Sequence, residues 1–138
     1  MTLRVERKIG RMNEIALFNQ ATFLELISEL GQDDAAEVLR VFLADTSGKM
    51  SAIASDLGQR SIIRREAHLI KSSAATFGFV ELSTLARQLE ADVPAMSPVE
   101  LRQSVSTLRQ AFERTESFAR ANLLTSSLGI SSAHEAAY

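Results

Sequence analysis

Apolar residues recur in alternating steps of three and four along most of this 138-residue chain. That spacing places them on one face of an α-helix, because an α-helix has about 3.6 residues per turn. The longest stripe consists of Ala35, Leu39, Phe42, Thr46, Met50, Ile53 and Leu57. The sequence lacks strand signals such as strict apolar and polar alternation or Asn-Gly turns. The pattern therefore predicts an all-α fold.

Helix start and stop signals divide the chain into five helices. The first is predicted over residues 20–30, with Asn19 as its cap and Gly31 just past its end. A second is predicted over residues 34–57, where Asp34 and Glu37 have capping-box spacing, followed by helices over 61–77 and 80–92. Ser97-Pro98-Val99-Glu100 marks the start of the fifth, which we expect to end near residue 119.

Four amphipathic helices with short connections predict an antiparallel four-helix bundle, with the short N-terminal helix as an addition. We expect residues 19–121 to form this bundle, residues 1–18 an N-terminal extension, and residues 122–138 a flexible tail. Within the predicted bundle, Met50, Phe77 and Phe112 are expected in the core.

Composition excludes several classes of function. A formal charge of −2 gives no indication of nucleic-acid binding, and the absence of cysteine removes disulfides, thiolate metal sites and cysteine nucleophiles. No apolar run approaches the roughly 20 residues that a membrane-spanning helix needs. We expect a soluble, cytoplasmic protein that is monomeric, since its helices can bury their apolar faces within one chain.

The third predicted helix has an unusual exposed face. Its core seam comprises Ile63, Ala67, Ile70, Ala74 and Phe77, and the opposite arc comprises Ser61, Arg64, Arg65, His68, Lys71, Ser72 and Ala75. A lone surface histidine is most simply a solvated residue. However, the charges around His68 are all positive, whereas a solvated helix face normally mixes signs. The small Ser72 and Ala75 also leave space for another surface to approach.

The segment around this histidine reads Ala67-His68-Leu69-Ile70-Lys71-Ser72-Ser73-Ala74-Ala75-Thr76-Phe77-Gly78. It resembles the signature of the histidine-containing phosphotransfer (Hpt) domain family, in which an apolar residue, Lys-Gly-Ser and a later glycine follow the histidine. The helix with Leu82, Leu85, Leu89 and Glu90 resembles the next helix of that family, and the resemblance covers about residues 19–119. One departure is Ser72, which replaces the family glycine and could narrow the choice of partner or slow transfer.

The resemblance implies that His68 accepts a phosphoryl group from an aspartyl phosphate and passes it to another aspartate. It implies that Lys71 contacts the phosphoryl group; Arg64 and Arg65 are further candidates because of their charge. The implied partners are response-regulator receiver domains and a hybrid sensor histidine kinase. No cofactor is expected on this chain, because the receiver domain would supply magnesium and the catalytic carboxylates. The chain would then be a phosphocarrier without kinase activity of its own.

The surroundings of His68 lead to further expectations. Histidine is a nucleophile only when its imidazole is neutral, and exposure near three cations should favour that form. No acid or base beside His68 is evident in the sequence that would activate water against a phosphorylated ring. Leu69 and Ile62 lie about 100–120° from His68 around the helix, where they either close the core or dock a partner. Gly78 is expected to end the helix and let the next helix pack closely.

Three alternatives come from other classes. A sensor-kinase dimerisation domain normally has an acidic residue directly after its histidine and a proline soon after, whereas Leu69 follows here and the next proline is Pro94. A metal-binding bundle would need several histidine or carboxylate ligands on facing helices, often with Glu-x-x-His spacing. Position 65 is Arg65, however, and the only other histidine, His134, lies in the predicted tail. The third alternative is a helical adaptor that binds a receiver domain without being phosphorylated.

Overall fold

The computed structural model describes residues 15–124 as a bundle of helices. Its elements are α1 (Gln20–Leu30), α2 (Gln32–Ser55), α3 (Arg60–Phe77), α4 (Val80–Asp92), a 3-10 turn (Val93–Ala95), α5 (Pro98–Ala119) and a π turn (Arg120–Leu124). No strand occurs in this part of the chain. The predicted all-α fold, with four bundle helices and a short helix before them, is confirmed.

The four long helices close into one bundle. Helix α3 packs most extensively against α4, α5 packs against α4 and α2, and α2 packs against α3. Helix α1 lies across α2 and α3. The predicted seam of α3 is buried, with Ile63, Ala67, Ile70 and Ala74 inaccessible to solvent. Met50, Phe77 and Phe112 are also buried, as predicted.

Local capping explains where three helices begin. The Asn19 side chain accepts a hydrogen bond from the backbone N–H of Thr22 at 3.1 Å, which starts α1 as predicted. Ser97 and Glu100 form the predicted reciprocal capping box of α5. The predicted cap of α2 at Asp34 is wrong: α2 already begins at Gln32, because Gly31 has a φ of +88° and turns the chain within one residue.

Six phenylalanine rings form a cluster in which each ring lies 4.8–6.0 Å from at least one other, centroid to centroid. The members are Phe18, Phe23, Phe42, Phe77, Phe79 and Phe118. They come from α1, α2, α3 and α5 and from the connections before α1 and α4. This cluster therefore joins α1 to the bundle and fixes the end of α3.

Gly78 ends α3, as predicted, in a left-handed conformation with φ of +86°. Its close neighbour is not α4, however, but the residue before α1: a Cβ at Gly78 would lie 2.5 Å from the backbone oxygen of Asn19. The Asn19 N–H donates to the Gly78 carbonyl at 2.7 Å, and the Val80 N–H donates to the Leu17 carbonyl at 3.0 Å. The expectation that Gly78 serves the packing of α4 is corrected accordingly.

The described structure extends beyond both predicted edges of the bundle. Phe18 packs on the core, and the last turn that the structure describes is helical through Leu124, which is buried. Helical structure therefore continues three residues into the predicted tail. Residues 1–14 and 125–138 lie outside the described residues, so the division at 18 and 121 stays a prediction. None of the helices described has the length and hydropathy needed to cross a membrane.

Candidate functional site

His68 lies at the middle of α3 with 53% of its side chain exposed. Its neighbours toward the core, Ala67 and Ile70, are fully buried. The Lys71 carbonyl also accepts a hydrogen bond from the Ser83 hydroxyl at 3.0 Å, which ties α3 to α4 one turn beyond the histidine. The ring is thus presented to solvent from a helix that is fixed on its other side.

Glu90 of α4 joins the histidine to the lysine that follows it. Its Oε2 lies 2.9 Å from Nδ1 of His68, and its Oε1 lies 3.1 Å from Nζ of Lys71. The pKa of the Glu90 carboxyl is lowered, chiefly because Lys71 donates a hydrogen bond to it and further because His68 does. Burial raises this pKa but does not outweigh the other contributions. Glu90 is therefore ionised at neutral pH.

This hydrogen bond determines which ring nitrogen carries hydrogen. An ionised carboxylate only accepts hydrogen bonds, so Nδ1 of His68 must donate to it. In the neutral ring, Nε2 is then the nitrogen with the free lone pair. The position of the ring hydrogen, and with it the tautomer of His68, thus follows from the hydrogen bond to Glu90. Nε2 is thus the atom of this ring able to act as a nucleophile.

The surroundings of His68 are less positive than the sequence predicts. Arg65 lies 3.2 Å from Glu66, which is also 3.9 Å from Lys49, and Lys71 is paired with Glu90. Arg64 is exposed and has no ion pair within residues 15–124. Glu90 is an acid beside His68, but it is bound to Nδ1 and to Lys71, so the expectation that no acid or base is placed to activate water stays a prediction.

Sequence reasoning missed the contact with Glu90 although Glu90 was part of the helix noted for its resemblance. The two residues are 22 positions apart, and the contact depends on how α3 and α4 align when they pack. Periodicity places Glu90 at the edge of the α4 apolar stripe, and only the packing shows what it faces. A carboxylate at that edge, one helix after a candidate histidine, is the signal that was available.

The four residues proposed for docking differ in their exposure. Ser72 and Ala75 are exposed one and two turns beyond His68, so the space beside the ring is open. Leu69 is 41% exposed, which is high for a leucine in a bundle, whereas Ile62 is half-buried. Of the two apolar candidates, Ile62 therefore helps close the edge of the core, and Leu69 stays available to a partner.

The described residues hold no group of three or more histidine, cysteine or acidic side chains able to bind a metal ion. The chain's second histidine, His134, lies outside them. The groups in contact at the site are one imidazole, one carboxylate and one ammonium group.

Fold and site together define a helical bundle that carries an exposed histidine at the centre of one of its helices. The model of the Hpt domain family matches residues 37–118, more than half of the chain, including His68, Lys71 and Glu90. The chain belongs to the Hpt domain family. Hpt domains are phosphocarrier modules that act in histidine phosphotransfer and interact with receiver domains. Comparison with curated proteins and with solved structures gave no match.

Proposed function

We propose that this chain is a histidine phosphotransfer protein in which Nε2 of His68 carries a phosphoryl group between the aspartates of two receiver domains in a multistep phosphorelay. The observation that carries the proposal is the exposed ring of His68, whose Nδ1 is held by Glu90 within the segment that matches the family. A histidine fixed in this way has one free nitrogen, which faces no competing partner within residues 15–124.

Phosphoryl transfer passes through a loose transition state, so catalysis consists mostly of positioning and of neutralising charge. This chain supplies a nucleophile on a rigid helix. Lys71, one turn from His68, supplies positive charge for the phosphoryl oxygens. Arg64 is exposed and can contribute at longer range, while Arg65 is the weaker candidate because it already contacts Glu66. The receiver domain supplies magnesium and the catalytic carboxylates.

A receiver domain must bring its aspartate within bonding distance of Nε2, so the side chains around His68 must be small enough to let the receiver domain approach. Ser72 and Ala75 have the small side chains that this requires, and Leu69 offers an apolar contact beside them. We assign docking to these three residues, with Ile62 contributing its exposed edge. The hydroxymethyl group of Ser72, where the family has glycine, is the feature that we expect to discriminate among receivers.

The partners would be response-regulator receiver domains and a hybrid sensor histidine kinase in the cytoplasm. The chain itself would act as a monomeric phosphocarrier without kinase activity. The second candidate function, a helical adaptor that is not phosphorylated, is less well supported because both His68 and Lys71 are present and a carboxylate orients the ring.

The test is phosphotransfer from a radiolabelled receiver domain to this protein, beside the His68→Gln variant. We expect acid-labile, base-stable label on the wild type and none on the variant. The matched control is His134→Gln, which replaces the only other histidine of the chain and should be labelled like the wild type. Binding to receivers without any label on the wild type would support the adaptor instead, and label on His68→Gln would show that another residue is the acceptor.

A further inference from the structure

Two exposed arginines border His68 without forming an ion pair in the part of the chain that the structure describes. They are Arg64, one turn before the histidine on α3, and Arg87 on α4. The other two cations of the histidine face, Arg65 and Lys71, each contact a glutamate. The guanidinium groups of Arg64 and Arg87 are therefore available to an anion that a partner brings to this face.

Arg87 lies on the side of α4 that borders α3. Ser83 is four residues before it and Glu90 is three residues after it, so the three side chains share one side of the helix. The Ser83 hydroxyl donates to the Lys71 carbonyl at 3.0 Å, and Glu90 contacts both Lys71 and His68. Arg87 is therefore level with the stretch of α3 from His68 to Lys71, and it is exposed at the outer edge of that stretch.

We propose that Arg87 and Arg64 form a basic docking surface that binds the carboxylates around the transferring aspartate of the receiver domain. This inference rests on the proposed function of His68. It deepens that function by naming the part of the partner that these two residues contact. It gives Arg87 a role that its position in the sequence does not indicate, and it adds a contact with the partner to the longer-range role of Arg64.

The surface that approaches His68 during phosphotransfer is anionic. The receiver domain supplies the catalytic carboxylates, and carboxylates that bind magnesium offset the charge of that ion. The phosphoryl group on the aspartate adds roughly −1.5 to −2 charges at neutral pH. Arginine fits such a surface, because its planar guanidinium group presents five N–H donors that match the geometry of a carboxylate and it stays charged at any working pH.

Helix geometry separates the task of the two arginines from that of Lys71. In an α-helix every Cα–Cβ bond tilts toward the N-terminus of the helix. Lys71 follows His68 on α3, so its side chain starts back toward the histidine, in agreement with its contact to Glu90. Arg64 precedes His68 and starts away from the ring, and Arg87 likewise starts away from Glu90. Both arginines therefore extend toward the surroundings of the ring, where the partner surface lies.

The charge of the two arginines is not cancelled locally, although the chain as a whole is negative. The ion pair of Lys71 with Glu90 is neutral, and so is the pair of Arg65 with Glu66. The formal charge of the chain is −2. A small positive surface on a negative protein directs an anionic partner to that surface, and such charges act mainly on association.

The test variant is Arg87→Gln, which removes the charge and leaves a polar side chain on the surface. Its matched control is Arg102→Gln on α5. Arg102 is also exposed and has no ion pair among residues 15–124, so both substitutions change the net charge of the chain equally. Helix α5 packs against α4 and α2, away from the face of α3 that carries the histidine.

The experiment measures transfer of radiolabel from a phosphorylated receiver domain over a range of receiver concentrations. We expect KM for the receiver to rise about three- to fivefold in Arg87→Gln at about 50 mM salt, with kcat unchanged within about twofold. At about 500 mM salt the rise in KM should shrink to less than about twofold, because salt screens exposed charges. Arg102→Gln should follow the wild type at both salt concentrations. The double variant Arg64→Gln/Arg87→Gln should raise KM by about tenfold or more at the lower salt concentration.

Phosphoramidate, a small donor without a protein surface, separates docking from chemistry. Arg87→Gln should slow transfer from the receiver at low salt more than it slows acceptance from phosphoramidate. Equal slowing with both donors would show that Arg87 acts on the phosphoryl group and would overturn the inference. An unchanged KM in Arg87→Gln, or an equal rise in Arg102→Gln, would overturn it as well, while the proposed function stands. If the wild type forms no phosphohistidine with either donor, the proposed function itself fails.

Discussion

Lys71 has two anionic partners in the proposed cycle. In the structure its ammonium lies 3.1 Å from Glu90, and after transfer a phosphoryl group would lie one helical turn away. The pairing with Glu90 does not prevent Lys71 from binding a phosphoryl group, because a lysine side chain is long enough to move between two neighbouring anions. In the proposed cycle, Lys71 would balance Glu90 in the resting protein and contact the phosphoryl group afterwards.

Replacing Lys71 by alanine should slow phosphotransfer by roughly 10- to 100-fold, because it removes the positive charge closest to the transferred group. Quench-flow measurement of label transfer from a receiver domain would test this. The control is Lys49→Ala, which removes the lysine that pairs with Asp45 and Glu66 on α2 and α3. Equal rates for the two variants would remove Lys71 from the mechanism.

Gly78 is the residue at which side-chain size matters most for stability. Its φ of +86° is unfavourable for any other residue, and a Cβ would meet the Asn19 oxygen at 2.5 Å. We expect Gly78→Ala to lower the free energy of unfolding by about 2 kcal/mol or more, measured by urea denaturation.

Gly48→Ala is the opposite case. Gly48 lies within α2 and has no atom inside 4 Å of an added Cβ, so the substitution should raise the free energy of unfolding by about 0.5–1 kcal/mol in the same urea measurement.

At this scale the sequence identifies His68 and Lys71 as site candidates through the motif, but it does not reveal the contact with Glu90. The motif is a local pattern on α3, whereas Glu90 reaches His68 only through the alignment of α3 with α4. The sequence also predicts an all-positive face around His68, because a helix pattern does not show which acids pair with the cations in the folded chain. Whether Arg65 or Lys71 is paired depends on where Glu66 and Glu90 point in the folded chain.

Two of the helix starts that the sequence predicts are explained by a capping side chain that makes its own hydrogen bond, whereas α4 begins at Val80, as predicted, without one. Asn19 and Ser97 are the two capping residues, and both α1 and α5 begin where the sequence indicates. The start of α2 was missed because Asp34 has the spacing of a cap but lies inside the helix. There Gly31 provides the turn, and its carbonyl accepts from the Ala35 N–H at 2.9 Å. Backbone geometry at a glycine thus overrides a side-chain signal that lies three residues later.

Comparing substitutions at Ser97, which caps α5, and at Asp34, which lies inside α2, tests that interpretation. Ser97→Ala removes one half of the α5 capping box and should destabilise the protein by about 1 kcal/mol. Asp34→Ala removes only a carboxylate in the first turn of α2 and should cost about 0.5 kcal/mol or less. Thermal unfolding monitored by circular dichroism distinguishes the two, and an effect of Asp34→Ala as large as that of Ser97→Ala would restore Asp34 as a cap.

For the whole molecule, the residues at the two ends of the bundle contribute to stability, because they include side chains that pack in the core. The predicted unit, residues 19–121, leaves out Phe18, which contacts three other rings, and Leu124, which is buried. A chain of residues 15–124 should therefore be more stable than one of residues 19–121, by about 3 kcal/mol from the burial of these side chains. Guanidinium denaturation of the two chains would measure this, and equal midpoints would support the shorter unit.

All three groups of the candidate site lie on α3 and α4, two helices joined by the two residues Gly78 and Phe79. Helix α1 packs on this hairpin across a long loop of chain, and Leu17 and Asn19, just before α1, form hydrogen bonds with Val80 and Gly78. Contacts that close short loops form early in folding and break last, because they cost less chain entropy. In amide hydrogen exchange we therefore expect α1 to open at lower free energy than α3 and α4. The contact of His68 with Glu90 would persist while α1 is transiently detached.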